Sequence, residues 1–257
     1  MIKFENTEVI GWEAAVRGMH NLKSSLEESD SGICLDTIGC HSCRANRNHC
    51  KSRMENKEFV IGIDDMNLMI HLSKFMQMVT VYVDITAPLY WWKEFHNYKV
   101  GAVDDYCSMM HKLRVKEFTL DDFSCEYLTT QSTEHLESTI SLLNYYRSLY
   151  ILKNDKQVNR STIMSDKCYE KYKKNILWNM VQLLPSSYNQ KRTVILNYEV
   201  LSDIYQSCKN HELDEWRIHN TSKEHKLENQ NFNSDRLGFC DWIKSLPYSE
   251  LITGEDE

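Results

Sequence analysis

Val79–Lys112 reads VTVYVDITAPLYWWKEFHNYKVGAVDDYCSMMHK, and its first half decides the fold class. Val79, Val81, Val83 and Ile85 alternate with Thr80, Tyr82, Asp84 and Thr86, the period of two expected of a strand that buries one face. Pro88 follows, where the first turn of a helix tolerates a residue without an N–H donor. The aromatic run from Leu89 to Lys99 is helix-compatible, and Gly101 interrupts it. Val103–Leu113 then reads as a second short helix, with Asp104 or Asp105 available to cap it.

Outward from this stretch the pattern stays mixed. Upstream, Asp64 and Asp65 can begin a helix with Met66, Leu68, Met69, Leu72, Phe75 and Met76 on its apolar side. Downstream, Leu136, Ile140 and Leu143 make the stripe of a helix over 133–150, and another is expected over 165–183, ended by Pro185. Lys191–Leu196 is a short strand candidate, Asn197 opens a further helix, and 213–218 extends one more. Residues 219–237 are polar and read as a loop, and Phe239–Tyr248 supplies a last hydrophobic patch before an acidic tail. The expectation is a mixed α and β fold, a central sheet with flanking helices, in one domain over 1–257. Within it, 59–218 forms the main fold region, 238–257 a C-terminal segment, and 27–58 a Cys-rich surface insertion.

Composition bounds the function. The 257 residues are 42% hydrophobic and 26% charged, with only eight Gly and three Pro, which excludes disorder and repetitive linkers. Thirty basic against 37 acidic residues leave a formal charge of −7, which argues against a grip on duplex nucleic acid but leaves room for a small anion held by local donors. No run reaches the 18 or so apolar residues of a spanning helix, so a soluble, cytoplasmic chain without a membrane partner is expected, its nine cysteines mostly reduced. Neither a phosphate-cradling glycine motif nor a hydrolase or zincin signature occurs.

Three clusters remain as candidate sites. Cys34, Cys40, Cys43 and Cys50, with His41 and His49 between them, carry zinc-ligand chemistry, but their loose outer spacing favours reduced thiols, and no metal site is assigned. Lys99, Cys107, Ser108 and His111 would meet near one helix junction, where amide donors and a lysine favour an anion. Cys107 and His111 also stand i,i+4, a spacing that can support a thiolate. Trp91, Trp92, Phe95 and Tyr98 suit either stacking on a planar ring or core packing, and packing is the commoner use of such residues.

Taken together, the 79–112 stretch and the later block LPSSYNQKRTVILNYEVLSDIYQSCKNHELDEW (184–216) resemble the flavin-dependent thymidylate synthase family. The strand, the Ala-Pro turn and the segment that carries that family's Arg-His-Arg and Ser-x-Arg-Tyr signature align in order. The resemblance implies a homotetrameric α/β enzyme that uses FAD, NADPH and a methylene-folate to methylate a pyrimidine deoxynucleotide. It places Cys107 and Ser108 at the catalytic position, and Asn97, Tyr98, Lys99, Asn197 and His211 near the flavin. Trp92, Lys99, Cys107, Ser108 and Cys208 fall near the nucleotide.

The departures from the signature concentrate on charge. Arg-His-Arg becomes Asn97, Tyr98 and Lys99, which keeps one cation but loses the planar fork that binds phosphate bidentately. The Arg-Tyr pair becomes Met109 and Met110, a flavin-associated Arg becomes Glu199, and a nucleotide-binding Arg becomes Cys208. His211 and Glu215 match if one residue is deleted between the elements. Two functions therefore compete: a divergent thymidylate synthase-like enzyme, and a non-catalytic nucleotide-binding or assembly protein on the same scaffold.

Overall fold

A computed structural model describes residues 2–23, 29–33, 59–70, 73–98, 103–105, 115–152, 166–217 and 238–254. Its centre is a four-stranded antiparallel sheet in the order β1-β4-β6-β5, built from β1 (Lys3–Ile10), β4 (Thr80–Pro88), β6 (Asn189–Asn197) and β5 (Val103–Asp105). Two short strands, β2 (Gly32–Ile33) and β3 (Phe59–Val60), pair as a separate ribbon. The alternation read from the sequence sets the central strand: Val81, Val83, Ile85 and Ala87 are buried, while Tyr82, Asp84 and Thr86 face the other way. β6 pairs with β4 along its whole length, from Thr80 opposite Asn197 to Pro88 opposite Asn189.

Helices cover one side of the sheet: α1 (Trp12–Lys23), α2 (Ile63–Ile70), α3 (Leu89–Phe95), α6 (Tyr198–Cys208), α7 (Phe239–Lys244) and α8 (Glu250–Thr253). The main core joins Val81, Val83 and Ile85 to Trp91, Trp92 and Phe95 of α3, Leu201 and Ile204 of α6, and Trp216 and Phe239. A second core lies between the long hairpin helices α4 (Thr130–Leu152) and α5 (Asp166–Leu183). Leu136, Ile140, Leu143, Ile176 and Met180 pack there with Phe118, Phe123 and Tyr188.

Several elements differ from expectation. The helix expected over 103–113 begins instead as β5, whose Val103, Asp104 and Asp105 stand opposite Ile195, Val194 and Thr193. An open β6 edge offers those residues ladder hydrogen bonds, which outweigh the helix-capping propensity of the two aspartates. The helix expected from Asp64 onward ends at Ile70, and Ser73–Gln77 forms a separate 3₁₀ turn. Residues 213–217 form turns rather than a helix, and they place Trp216 in the core. β1 and α1 carry no signal recognised in the sequence: β1 is an edge strand with mostly exposed side chains.

The start of the Cys-rich stretch has a defined role. Asp30 accepts the backbone N–H groups of Asp64 and Asp65 at 2.9 and 3.1 Å, so it caps α2 from a distant segment. Asp65 itself is buried, its carboxylate held by His20 Nε2 at 2.5 Å and by the hydroxyls of Ser29 at 2.7 Å and Ser31 at 2.5 Å. Gly62 makes this closure possible, because a Cβ there would lie 1.9 Å from the Asp30 carboxyl carbon.

Candidate functional site

α3 follows β4 directly, so the residues at its C-terminal end are fixed by the sheet. His96–Tyr98 leave α3 as a 3₁₀ turn, and this turn is where the described part of the signature segment lies. Two groups of side chains meet at it.

The first group surrounds Trp216. Tyr98 packs against Trp216 at 5.5 Å between ring centroids, and the Tyr98 hydroxyl accepts the Cys208 thiol at 3.2 Å. His211 stands 6.0 Å from the same indole, and its Nδ1 accepts the Leu213 N–H at 3.0 Å. Glu215 accepts the Tyr90 hydroxyl, which ties this segment to α3. Tyr98 thus stands between Cys208 and Trp216, with His211 against the same indole.

Three hydroxyl and thiol groups here, those of Tyr98, Cys208 and Cys240, are held in their neutral forms. The bond with Cys208, with burial second, pushes the Tyr98 hydroxyl up to about 12. Burial likewise pushes the Cys208 thiol up, against a smaller opposing effect of the Tyr98 hydrogen bond. Cys240 is raised to about 12 by burial and then by nearby Cys208. Near neutral pH these groups act as hydrogen-bonding and packing surfaces, not as nucleophiles or bases.

The second group centres on Arg192. Gln190 and Arg192 occupy the inward-facing register of β6 that Val194 and Leu196 continue, so an arginine stands where the period of two predicts an apolar residue. Only 7% of Arg192 is exposed. Its guanidinium lies over the Trp92 ring at 4.3 Å, and Nε and Nη2 donate to Gln190 Oε1 at 3.2 and 2.9 Å. Nη1 reaches His96 Nε2 at 3.4 Å. Because His96 Nδ1 donates to the Trp92 carbonyl, its Nε2 is left as the acceptor for arginine. Trp92 donates its indole N–H to the Gln190 carbonyl at 2.9 Å, so one tryptophan positions the strand, the histidine and the guanidinium.

Trp92 is 1% exposed and works inside the protein as the floor of the arginine site. Asn97 donates to Glu94 at 3.1 Å. Asn197 caps α6, its side-chain oxygen accepting the Val200 N–H at 2.9 Å. It therefore lies at the opposite end of an 11-residue helix from Cys208, about 16 Å away along the axis. Within one chain the structure does not bring Asn197 to the Tyr98–Cys208–His211 group. Glu199 lies beside that cap and accepts the Gln77 amide at 3.0 Å. Lys99, Cys107, Ser108, Met109, Met110 and His111 lie outside the described residues, as do Cys34, Cys40, Cys43 and Cys50. Arg192 is the residue that sequence reading missed, and the signal was the charged side chain on the buried parity of Gln190–Leu196.

The fold class this arrangement defines is mixed α and β, an antiparallel sheet with a helical face and a signature turn after its central strand, and it is the fold of flavin-dependent thymidylate synthases. The particular likeness is to thymidylate synthase X (ThyX) from Helicobacter pylori, solved with FAD and dUMP. The match spans 97% of this chain and 94% of that one, with a TM-score of 0.51 and 10% identity. A second structure of the Helicobacter pylori enzyme, also complexed with FAD and dUMP, matches 82% of this chain and 85% of that one at 12% identity and a TM-score of 0.45. No protein-family model matches the sequence, and no curated protein matches it significantly. Among the described residues, no helix is long and apolar enough to cross a membrane.

Proposed function

We propose that this chain is a divergent thymidylate synthase-like protein that binds a pyrimidine deoxynucleotide and modifies or methylates it. The observation that carries this reading is the near end-to-end match to a thymidylate synthase solved with FAD and dUMP. Cys107 and Ser108 are the proposed groups at the reacting pyrimidine, with Lys99 and Cys208 lining the nucleotide and Trp92 acting beneath the site. Asn97, Tyr98, Lys99, Asn197 and His211 are the proposed flavin-side residues, with FAD the cofactor, NADPH the reductant, and a homotetramer the proposed assembly. FAD would supply the redox chemistry when bound, and this chain's residues would supply orientation and charge.

The described part of the proposed flavin set fits a diphosphate poorly. Asn197 spends its side-chain oxygen on a helix cap, and Glu199 puts a carboxylate beside it where the resemblance implies arginine. This observation favours the second reading, a nucleotide-binding or assembly protein without catalysis on the same scaffold. Purification without added cofactor separates the two. A yellow protein with stoichiometric FAD supports the enzyme reading, and titration with dUMP should then perturb the flavin spectrum. A colourless protein that binds dUMP but has no measurable FAD affinity overturns the enzyme reading and retains the second.

A further inference from the structure

The outer face of α5 carries a stripe that neither core uses. Ile176 and Met180 turn into the smaller core, while Lys171, Lys174, Asn175, Trp178 and Gln182, spaced by three and four residues, fall on the opposite side of the helix over about 16 Å. All five are exposed. Trp178 is the unusual one: it is 49% exposed, whereas the other five tryptophans are at most 8% exposed. Among the described residues its indole has no ring contact or hydrogen bond, and Lys171 and Lys174 have no ion pair, not even with Glu170 one turn before Lys174. Lys173, between them, is turned instead over the Tyr150 ring at 5.4 Å. From Lys171 to Leu183 the helix holds three lysines and no acid, in a chain whose formal charge is −7.

We propose that this face of α5 binds single-stranded nucleic acid, with Lys171 and Lys174 on phosphates and the Trp178 indole stacked on an unpaired base. The choice of partner follows from what the stripe combines. An acidic protein surface would satisfy the two lysines but would give the exposed indole no ring to stack on. An anionic membrane would require more apolar surface than one tryptophan, and it would strip water from Asn175 and Gln182. A single strand offers both phosphates and free base faces, and stacking tolerates any base because each has a π-face. A duplex keeps its bases stacked on one another, so it offers the lysines phosphates and leaves Trp178 without a role. The acidic balance of the whole chain opposes a wide grip, so the contact is local, covers a few nucleotides and weakens steeply with salt. This surface is independent of the nucleotide function proposed above, and either can fail without the other.

The test uses the full-length protein and a fluorescein-labelled oligothymidylate, read by anisotropy over a range of salt concentrations. Wild-type protein should bind the single strand at low salt, bind the same sequence as a duplex more weakly, and lose tryptophan fluorescence when an unlabelled strand is added, since Trp178 is the exposed indole. Trp178→Ala should weaken the single strand by about tenfold. Lys171→Gln with Lys174→Gln should flatten the dependence of log affinity on log salt by about 1.4, which is two phosphate contacts on a single strand. All three substitutions lie on the surface, and urea unfolding of each variant should match wild type. No binding of the strand by wild type overturns the proposal, as does an affinity unchanged by Trp178→Ala. Competition by polyglutamate as effective as that by the strand would make the face a site for acidic protein and overturn it. Binding to phosphatidylserine vesicles without binding to the strand would assign the face to membranes and overturn it equally.

Discussion

At the scale of single residues, the structure separates groups held neutral from groups held charged. Cys208 and Cys240 are buried and their thiols raised, whereas Cys168 is exposed on α5. Brief iodoacetamide treatment of native protein at neutral pH should therefore label Cys168 and spare Cys208 and Cys240, read by peptide mass spectrometry. Rapid labelling of Cys208 would contradict the neutral Tyr98–Cys208 contact. Asp65 is the opposite case. Burial pushes its carboxyl up, but the bonds from Ser31, Ser29 and His20 together outweigh that and hold it below the ordinary value. A carboxyl lowered by folding contributes stability above its unfolded pKa of about 3.9 and loses it as pH falls through the lower folded value. Asp65→Asn should cost about 3 kcal/mol near neutral pH, and the gap to wild type should narrow below about pH 4 in urea unfolding. A gap constant with pH would show that shape rather than charge holds the segment. Little of this was legible beforehand: Asp65 reads as an ordinary first-turn acid, because its partners stand 34–45 positions away in sequence.

At the scale of elements, α2 shows how a helix can depend on a segment far from it in sequence. Its first amides are capped by Asp30, and the approach is allowed only because position 62 lacks a side chain. Gly62→Ala should expel the Asp30 carboxylate and cost at least the value of a cap, about 1–2 kcal/mol, measured by thermal or urea unfolding. Asp30→Ala in the Gly62→Ala background should then add almost nothing, since the two changes break one contact. Additive losses would separate the cap from the glycine. The elements that were legible are β4 with its alternation, the long helices α4 and α5, and α6 opened by the Asn197 cap. β5 was not, because ladder pairing overrides local propensity there. The candidate site divides in the same way. Tyr98, Cys208 and His211 were named through the resemblance, and the structure sets Tyr98 between Cys208 and Trp216 with His211 against the same indole, whereas Arg192 was hidden inside an apparently ordinary strand.

At the scale of the molecule, two hydrophobic cores share one strand. Tyr188, just before β6, belongs to the core of the α4–α5 hairpin, and Val194 and Leu196 belong to the main core. Gln190 and Arg192 lie between them, so a polar seam runs where the two cores join. A polar seam carries less apolar contact than either core, and local opening follows regions of low apolar burial. The hairpin should therefore open as a unit of its own. Leu143→Ala removes a fully buried side chain from the smaller core and should cost about 2–5 kcal/mol there. In native-state hydrogen exchange, the amides of α4 and α5 should lose protection by most of that amount, while those of β4 and the inner residues of β6 keep theirs. Equal loss in the hairpin and the sheet would mean that the seam transmits stability fully and that the cores unfold together.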